Sequence, residues 1–387
     1  MENFVYHNPT KIIFGKGTET LVGVETKAYA DRVLLHYGGG SIKKTGLYDR
    51  VVASLKAAGV DFIELPGVQP NPRLSLIQEG IELCRKHQLQ FILAVGGGSV
   101  IDSAKAIAAG VPYAGDVWDF FARKAEIKAA LPVGVVLTIA AAGSETSPAS
   151  VVTKEEGALK RDIGSDLLRP KFAILNPELT YTLPPYQTAC GVADIMAHIM
   201  ERYFSRTPDT DLADRLCEAT LRTVIKYAPI ALQNPTDYTA RAEIMWAGTV
   251  AHSDLLGRGK VEDWGSHMIE HEISGIYDVP HGAGLAVIFP AWMQYVYQTD
   301  VNRFARFAVR VWAVEMDFAH PEKTALAGIE RLKTFFRSLG LPVTLTELKV
   351  GTDRLEEMAA KCTARGPVGN FVKLDKEDVL AIYQLAQ

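Results

Sequence analysis

Asp194 and His198 stand four residues apart in a stretch of helical periodicity, so both side chains project from one helix face. His267 and His271 repeat that spacing further along, and His281 follows just past Pro280 with Gly282 and Gly284 beside it. The chain has only nine histidines, and these four fall in short helical stretches. Carboxylate with imidazole is a ligand set for Fe(II) or Zn(II), and the lack of nearby thiols argues against a closed structural zinc site. Spacing alone leaves other roles open. An Asp-x-x-x-His pair also suits a surface hydrogen bond, and His-x-x-x-His also suits solvated or capping side chains. What favours a metal is that the other half of the chain carries turns suited to phosphate.

Those turns are Gly38-Gly39-Gly40-Ser41 and Gly96-Gly97-Gly98-Ser99, each following a β-branched, apolar run. Glycine lets the backbone approach a ligand closely, and the unpaired amides of a helix start attract phosphate. The spacing is not G-x-G-x-x-G, so a tight turn without a ligand is an equal reading. Ser99 is placed to cap the helix that runs on through Ala109.

The elements that must position these residues change character along the chain. Runs at 11–14, 32–37, 61–65 and 91–95 read as strands, and 48–58, 74–87 and 99–109 as helices. Leu131–Ala142 reads as a buried strand and loop. Alternation of this kind predicts a parallel sheet with helices on its faces. After Pro184-Pro185 the pattern turns helical, over 186–205, 209–230, 238–256, 261–275, 281–297 and 300–313. The expected organisation is an α/β domain over 1–183 and an all-α, metal-binding domain over 184–387. Such a pair commonly holds its ligand in the cleft between them.

Composition narrows the function classes. Of 387 residues, 48% are hydrophobic and 22% charged, as in a globular protein. The formal charge of −4 and the absence of basic runs give no support to nucleic-acid or anionic-membrane binding. No signal peptide or membrane span is read, and the four cysteines are scattered without a CxxC pair. A reducing, cytoplasmic setting is expected.

With these motifs in view, the chain resembles the iron-containing (group III) alcohol dehydrogenases, in the branch of NAD(P)H-dependent butanol dehydrogenases and broad-range aldehyde reductases. The likeness runs through Asn8-Pro9-Thr10, Phe14-Gly15-Lys16-Gly17, Tyr37–Lys44, Gly96–Asp102 and Gly143-Ser144-Glu145. It continues through Gly191–His198 and Trp264 to His281-Gly282-Ala283-Gly284. The resemblance implies a divalent metal, Fe2+ or Zn2+, on Asp194, His198, His267 and His281. It also implies a nucleotide site at Gly39, Gly40, Ser41, Asn71, Gly97, Gly98, Ser99, Asp102, Thr138, Ser144, Ser147 and Lys160, and a homodimer. Hydride transfer between NAD(P)H and a small aldehyde or primary alcohol follows, with the metal as Lewis acid. His271 is the candidate for a proton relay or substrate contact, or else a structural role behind the ligands. Several positions depart from the family pattern: Asn176 for a usual Asp, Ala142 for Thr, Ser147 for Asn and Asp162 for Gly. A lyase related to dehydroquinate synthase, or a non-catalytic binding protein, would share the plan without net turnover of aldehyde and NADPH. Glycerol dehydrogenases use fewer ligands, and His198 argues against them.

The turn after the second strand carries no carboxylate. One there would repel a 2′-phosphate by about 4 kcal/mol at 4 Å and an effective dielectric near 20. Ser41 and the amides of Gly39 and Gly40 can donate to that phosphate, and Lys43 or Lys44 can attract it. NADP(H) is therefore expected to be preferred over NAD(H).

Overall fold

Val33-Leu34-Leu35, Ile92–Val95, Val135-Val136 and Phe172–Leu175 are fully buried, as strands covered on both faces must be. In the computed structural model, which describes residues 1–387, they are the middle of a six-stranded parallel sheet. The elements of this part run β1 (Lys11–Phe14), α1 (Val22–Lys27), β2 (Arg32–Gly38), α2 (Ser41–Lys44), α3 (Leu47–Ala57) and β3 (Asp61–Val68). They continue as α4 (Leu74–His87), β4 (Ile92–Gly96), α5 (Gly98–Gly110), α6 (Trp118–Phe121), β5 (Val133–Leu137), β6 (Ala149–Lys154), β7 (Leu159–Gly164) and β8 (Phe172–Leu175). The sheet order is β1-β8-β5-β4-β2-β3, with β6 and β7 as a separate antiparallel pair. β2 leads outward to β3, and the chain then returns to β4 on the other side of β2. The order therefore reverses between β2 and β4, so the two glycine turns leave neighbouring strands, paired from Leu34↔Ile92 to Tyr37↔Val95. Ligands of open α/β sheets bind outside the strand C-termini at such a switch point.

The second part is helical: α7 (Pro185–Tyr203), α8 (Asp211–Gln233), α9 (Tyr238–Ala251), α10 (Gly265–Tyr277), α11 (His281–Val296), α12 (Val301–Trp312), α13 (Pro321–Ser338), α14 (Leu355–Cys362) and α15 (Lys376–Leu385). α7 is buried almost throughout from Thr188, and α11 from Gly282 to Met293, so each is enclosed by its neighbours. α7 packs on α8 and α11. Buried Asp214 on α8 gathers Lys260 and Arg303, which ties α8 to α12.

Three local expectations change. The chain forms two compact units, His7–Leu183 and Pro184–Gln387 joined by Met1–Tyr6, so the first six residues leave the α/β part. The reason is local bonding: the Met1 ammonium donates to the Pro208 carbonyl and the Glu2 amide to that of Gly259. Ser99 is not the cap of α5, because Gly97, in extended conformation, holds that position and its carbonyl takes the amides of Val100 and Ile101. α10 begins at Gly265 rather than near 261. Buried Asp263 accepts the amides of Gly265, Asn370 and Phe371, and Trp264 adopts a left-handed φ of 68°.

Candidate active site

α7 carries Asp194 and His198 on one buried face, with His198 Nδ1 3.5 Å from Asp194 Oδ1. α10 contributes His267, and His281 is the first residue of α11. One potential ligand atom from each of Asp194, His267 and His281 lies within 4.8 Å of the others. The His198 ring stacks on His267, centroids 4.8 Å apart, and its buried Nδ1 has no hydrogen-bond partner. A buried, unbonded imidazole nitrogen is costly on its own. Set beside a carboxylate and two more imidazoles, it fits a divalent cation. Burial, then the nearby His252 and His267, holds His198 well below the usual histidine range, in the neutral form a metal needs.

Two carboxylates absent from the sequence reading orient this set. Glu201, one turn beyond His198, accepts from His267 Nδ1 at 2.7 Å and from the amides of Trp264 and His267. Glu270 accepts from His281 Nδ1. With the glutamate ionised, each bond places the proton on Nδ1 and the lone pair on Nε2, the arrangement that outer carboxylates give to metal-binding histidines. Burial pushes the Glu201 carboxyl up to about 8, against the pull of the two amides. The glycines after His281 explain themselves here. A Cβ on Gly282 would lie 2.0 Å from the Cys190 carbonyl oxygen on α7, and one on Gly284 2.4 Å from Glu270 Oε1. Only bare backbone lets α11 reach α7 and leaves room for Glu270.

His271 is buried beside His281, ring centroids 5.5 Å apart. It groups with Glu270 and His281, not with Asp194 and His267. Trp264 walls the other side, 5.0 Å from the His267 ring and 5.9 Å from His198, with His252 4.4 Å from His198.

In the α/β unit, Gly39 and Gly40 have nothing within 4 Å of an added Cβ, whereas one on Gly97 would strike Ile139 at 2.2 Å and one on Gly98 would meet Ala142 at 2.9 Å. The first turn is open to an approaching ligand, and the second packs closely against the side chains of Ile139 and Ala142. Ser41 opens α2 and Ser99 lies in the first turn of α5. Thr138 follows β5, its amide bonded to the Gly96 carbonyl. Asn71, at a left-handed φ of 54°, accepts from Lys160 Nζ at 3.0 Å. Asp102, Ser144 and Ser147 converge on Lys105, which the sequence reading missed. Its buried ammonium donates to the carbonyls of Ser144, Ser147 and Ala149 and to the Ser144 hydroxyl. Asp102 accepts from the Ser144 hydroxyl at 2.6 Å and the Val151 amide at 3.0 Å. Burial lowers Lys105 to about 8, with Asp102 and Glu145 opposing. Asp102 and Lys105 thus strap the segment 143–151 to α5. Lys43 is also engaged, 3.5 Å from Glu64 on β3. Of the departures from the family pattern, Asp162 pairs with Arg123, and Asn176 donates to Glu19.

A family model for iron-containing alcohol dehydrogenases matches residues 9–177, and one for the C-terminal part of the Fe-containing alcohol dehydrogenase family matches 188–387. The chain belongs to this family, and is an alcohol or aldehyde oxidoreductase working with a metal and a nicotinamide cofactor. Its likeness falls in the butanol dehydrogenase and aldehyde reductase branch. It is 49% identical to the probable NADH-dependent butanol dehydrogenase 2 of Bacillus subtilis (strain 168), over 99% of both chains. It is 37% identical to the NADPH-dependent aldehyde reductase YqhD of Escherichia coli (strain K12), over 95% of this chain and 94% of that one. The crystal structure of NADH-dependent butanol dehydrogenase A from Thermotoga maritima superposes with a TM-score of 0.96 at 40% identity, covering 100% of this chain and 99% of that one.

Proposed function

We propose that the chain reduces small aldehydes to primary alcohols with NAD(P)H, at one Fe2+ or Zn2+ ion held by Asp194, His198, His267 and His281. The observation that carries this is the convergence of Asp194, His267 and His281 ligand atoms within 4.8 Å, beside the unbonded Nδ1 of His198. An ion there would supply Lewis-acid polarisation of the carbonyl, and the reduced nicotinamide the hydride. Asp194 contributes the one anionic ligand. Glu201 and Glu270 hold two imidazoles in orientation through Nδ1, and Trp264 shields one side of the cluster from water. His271 delivers a proton to the alkoxide oxygen, for which its burial next to His281 is the support.

His267→Ala is expected to lose both metal, by elemental analysis, and aldehyde reduction; wild-type values for both would refute the site. His271→Ala is expected to keep its metal while kcat falls or its pH profile shifts. Loss of metal would make His271 a ligand, and unaltered kinetics a bystander.

The nucleotide is assigned to the turns after β2 and β4, with Asn71, Asp102, Thr138, Ser144, Ser147 and Lys160 along its path. The open turn without a carboxylate supports acceptance of NADP(H). The named relatives point to both cofactors, and the pairing of Lys43 with Glu64 favours only a modest NADP(H) preference. A ratio of kcat/KM for NADPH over NADH at or below one would sink that preference. A homodimer is supported by β1, whose outer edge has no partner strand, and sedimentation mass tests it. A cytoplasmic setting is supported by four cysteines with no disulfide among them; no helix is long and apolar enough to cross a membrane.

A further inference from the structure

Lys43 and Glu64 lie far apart in sequence and meet beside the turn that follows β2. β2 and β3 pair in register, with Leu35 opposite Glu64 and His36 opposite Leu65, and α2 carries Lys43 directly after Gly40. The Glu64 carboxylate accepts from the Tyr48 hydroxyl at 2.6 Å and from the Tyr37 hydroxyl, and lies 3.5 Å from Lys43 Nζ. The ammonium also sits over the ring of Tyr48, 4.5 Å from its centroid, and 5.3 Å from that of Tyr37. A lysine has four flexible carbons and can point widely. Here one carboxylate and two ring faces select a single direction.

We infer that Glu64 sets the cofactor preference by holding Lys43. This rests on the nucleotide site assigned above. The turn lies at the reversal of strand order, where an open α/β sheet binds its ligand, and the space over Gly39 is open. A 2′-phosphate on this turn meets a lysine whose charge is cancelled by its partner, while a 2′-hydroxyl is indifferent to the pair. Removing the Glu64 charge frees the lysine's attraction for that phosphate. Both side chains are partly exposed, so solvent and salt reduce the effect to about tenfold.

The test uses adenosine 2′,5′-bisphosphate and AMP, titrated calorimetrically into the wild type, Glu64→Gln, Lys43→Met and the double variant. Glutamine keeps an oxygen for the tyrosine hydroxyls. Glu64→Gln should bind the bisphosphate about tenfold more tightly and leave AMP within twofold. Lys43→Met alone should weaken the bisphosphate less than threefold, yet abolish the gain in the double variant. Equal changes for both nucleotides, or a gain that survives Lys43→Met, overturns the inference. So does a tenfold loss from Lys43→Met alone, a result that stands even if Glu64→Gln fails to fold. A wild type that binds neither nucleotide overturns the nucleotide site itself, and the inference with it.

Discussion

At the scale of single residues, the proposed metal site depends on two glutamates outside its ligand set. Glu270→Leu removes the acceptor for His281 Nδ1 and is expected to weaken Zn2+ binding to the metal-free protein 10–100-fold, by chelator competition. Glu270→Gln keeps an acceptor oxygen and should lose less; equal affinity across wild type, Gln and Leu would show that His281 needs no such support. The sequence announced Asp194 and the histidines because few residue types bind metals and helical spacing aligns them. Glu201 and Glu270 were invisible for the opposite reason. A glutamate in a helix is ordinary, and nothing local says that these two are fully buried. Lys105 escaped in the same way, since its partners lie 39 to 44 residues further along the chain.

Among elements, the contact between α7 and α11 decides whether the ligands meet. Gly282→Ala puts a methyl 2.0 Å from a backbone oxygen, which cannot rotate away as a side chain would. It should cost about 1–3 kcal/mol or more and displace the adjoining His281. A denaturation midpoint and metal content both equal to wild type would show that the helices can part freely. Gly39→Asp is the contrasting case, entering open space without strain. Amphipathic periodicity made α4 readable nearly to the residue, and Pro280 ahead of a long apolar run did the same for α11. The β6–β7 pair was not readable, because its half-exposed strands mix charged and apolar residues and the turn between them carries the left-handed Gly157 and Ala158. The start of α10 was misjudged because Asp263 is fixed by amides a hundred residues away.

For the whole molecule, buried His36 gives the α/β unit a dependence on acid. Its Nδ1 bonds the Leu65 carbonyl and its Nε2 the Ser103 hydroxyl, and burial lowers it from 6.5 to about 4. The unfolded chain therefore takes up the proton first as pH falls. The stabilisation is complete above pH 6.5 and lost between 6.5 and 4, about 3 kcal/mol at about 1.4 kcal/mol per pH unit. Denaturant midpoints of wild type should fall more steeply over that range than those of His36→Gln; parallel slopes would refute it. The division of the chain has a consequence for its synthesis. The α/β unit is complete once Leu183 has emerged from the ribosome and can fold while translation continues. Met1 and Glu2 find their partners only when Pro208 and Gly259 follow. These two residues thus wait for their final place until well after the α/β unit is complete.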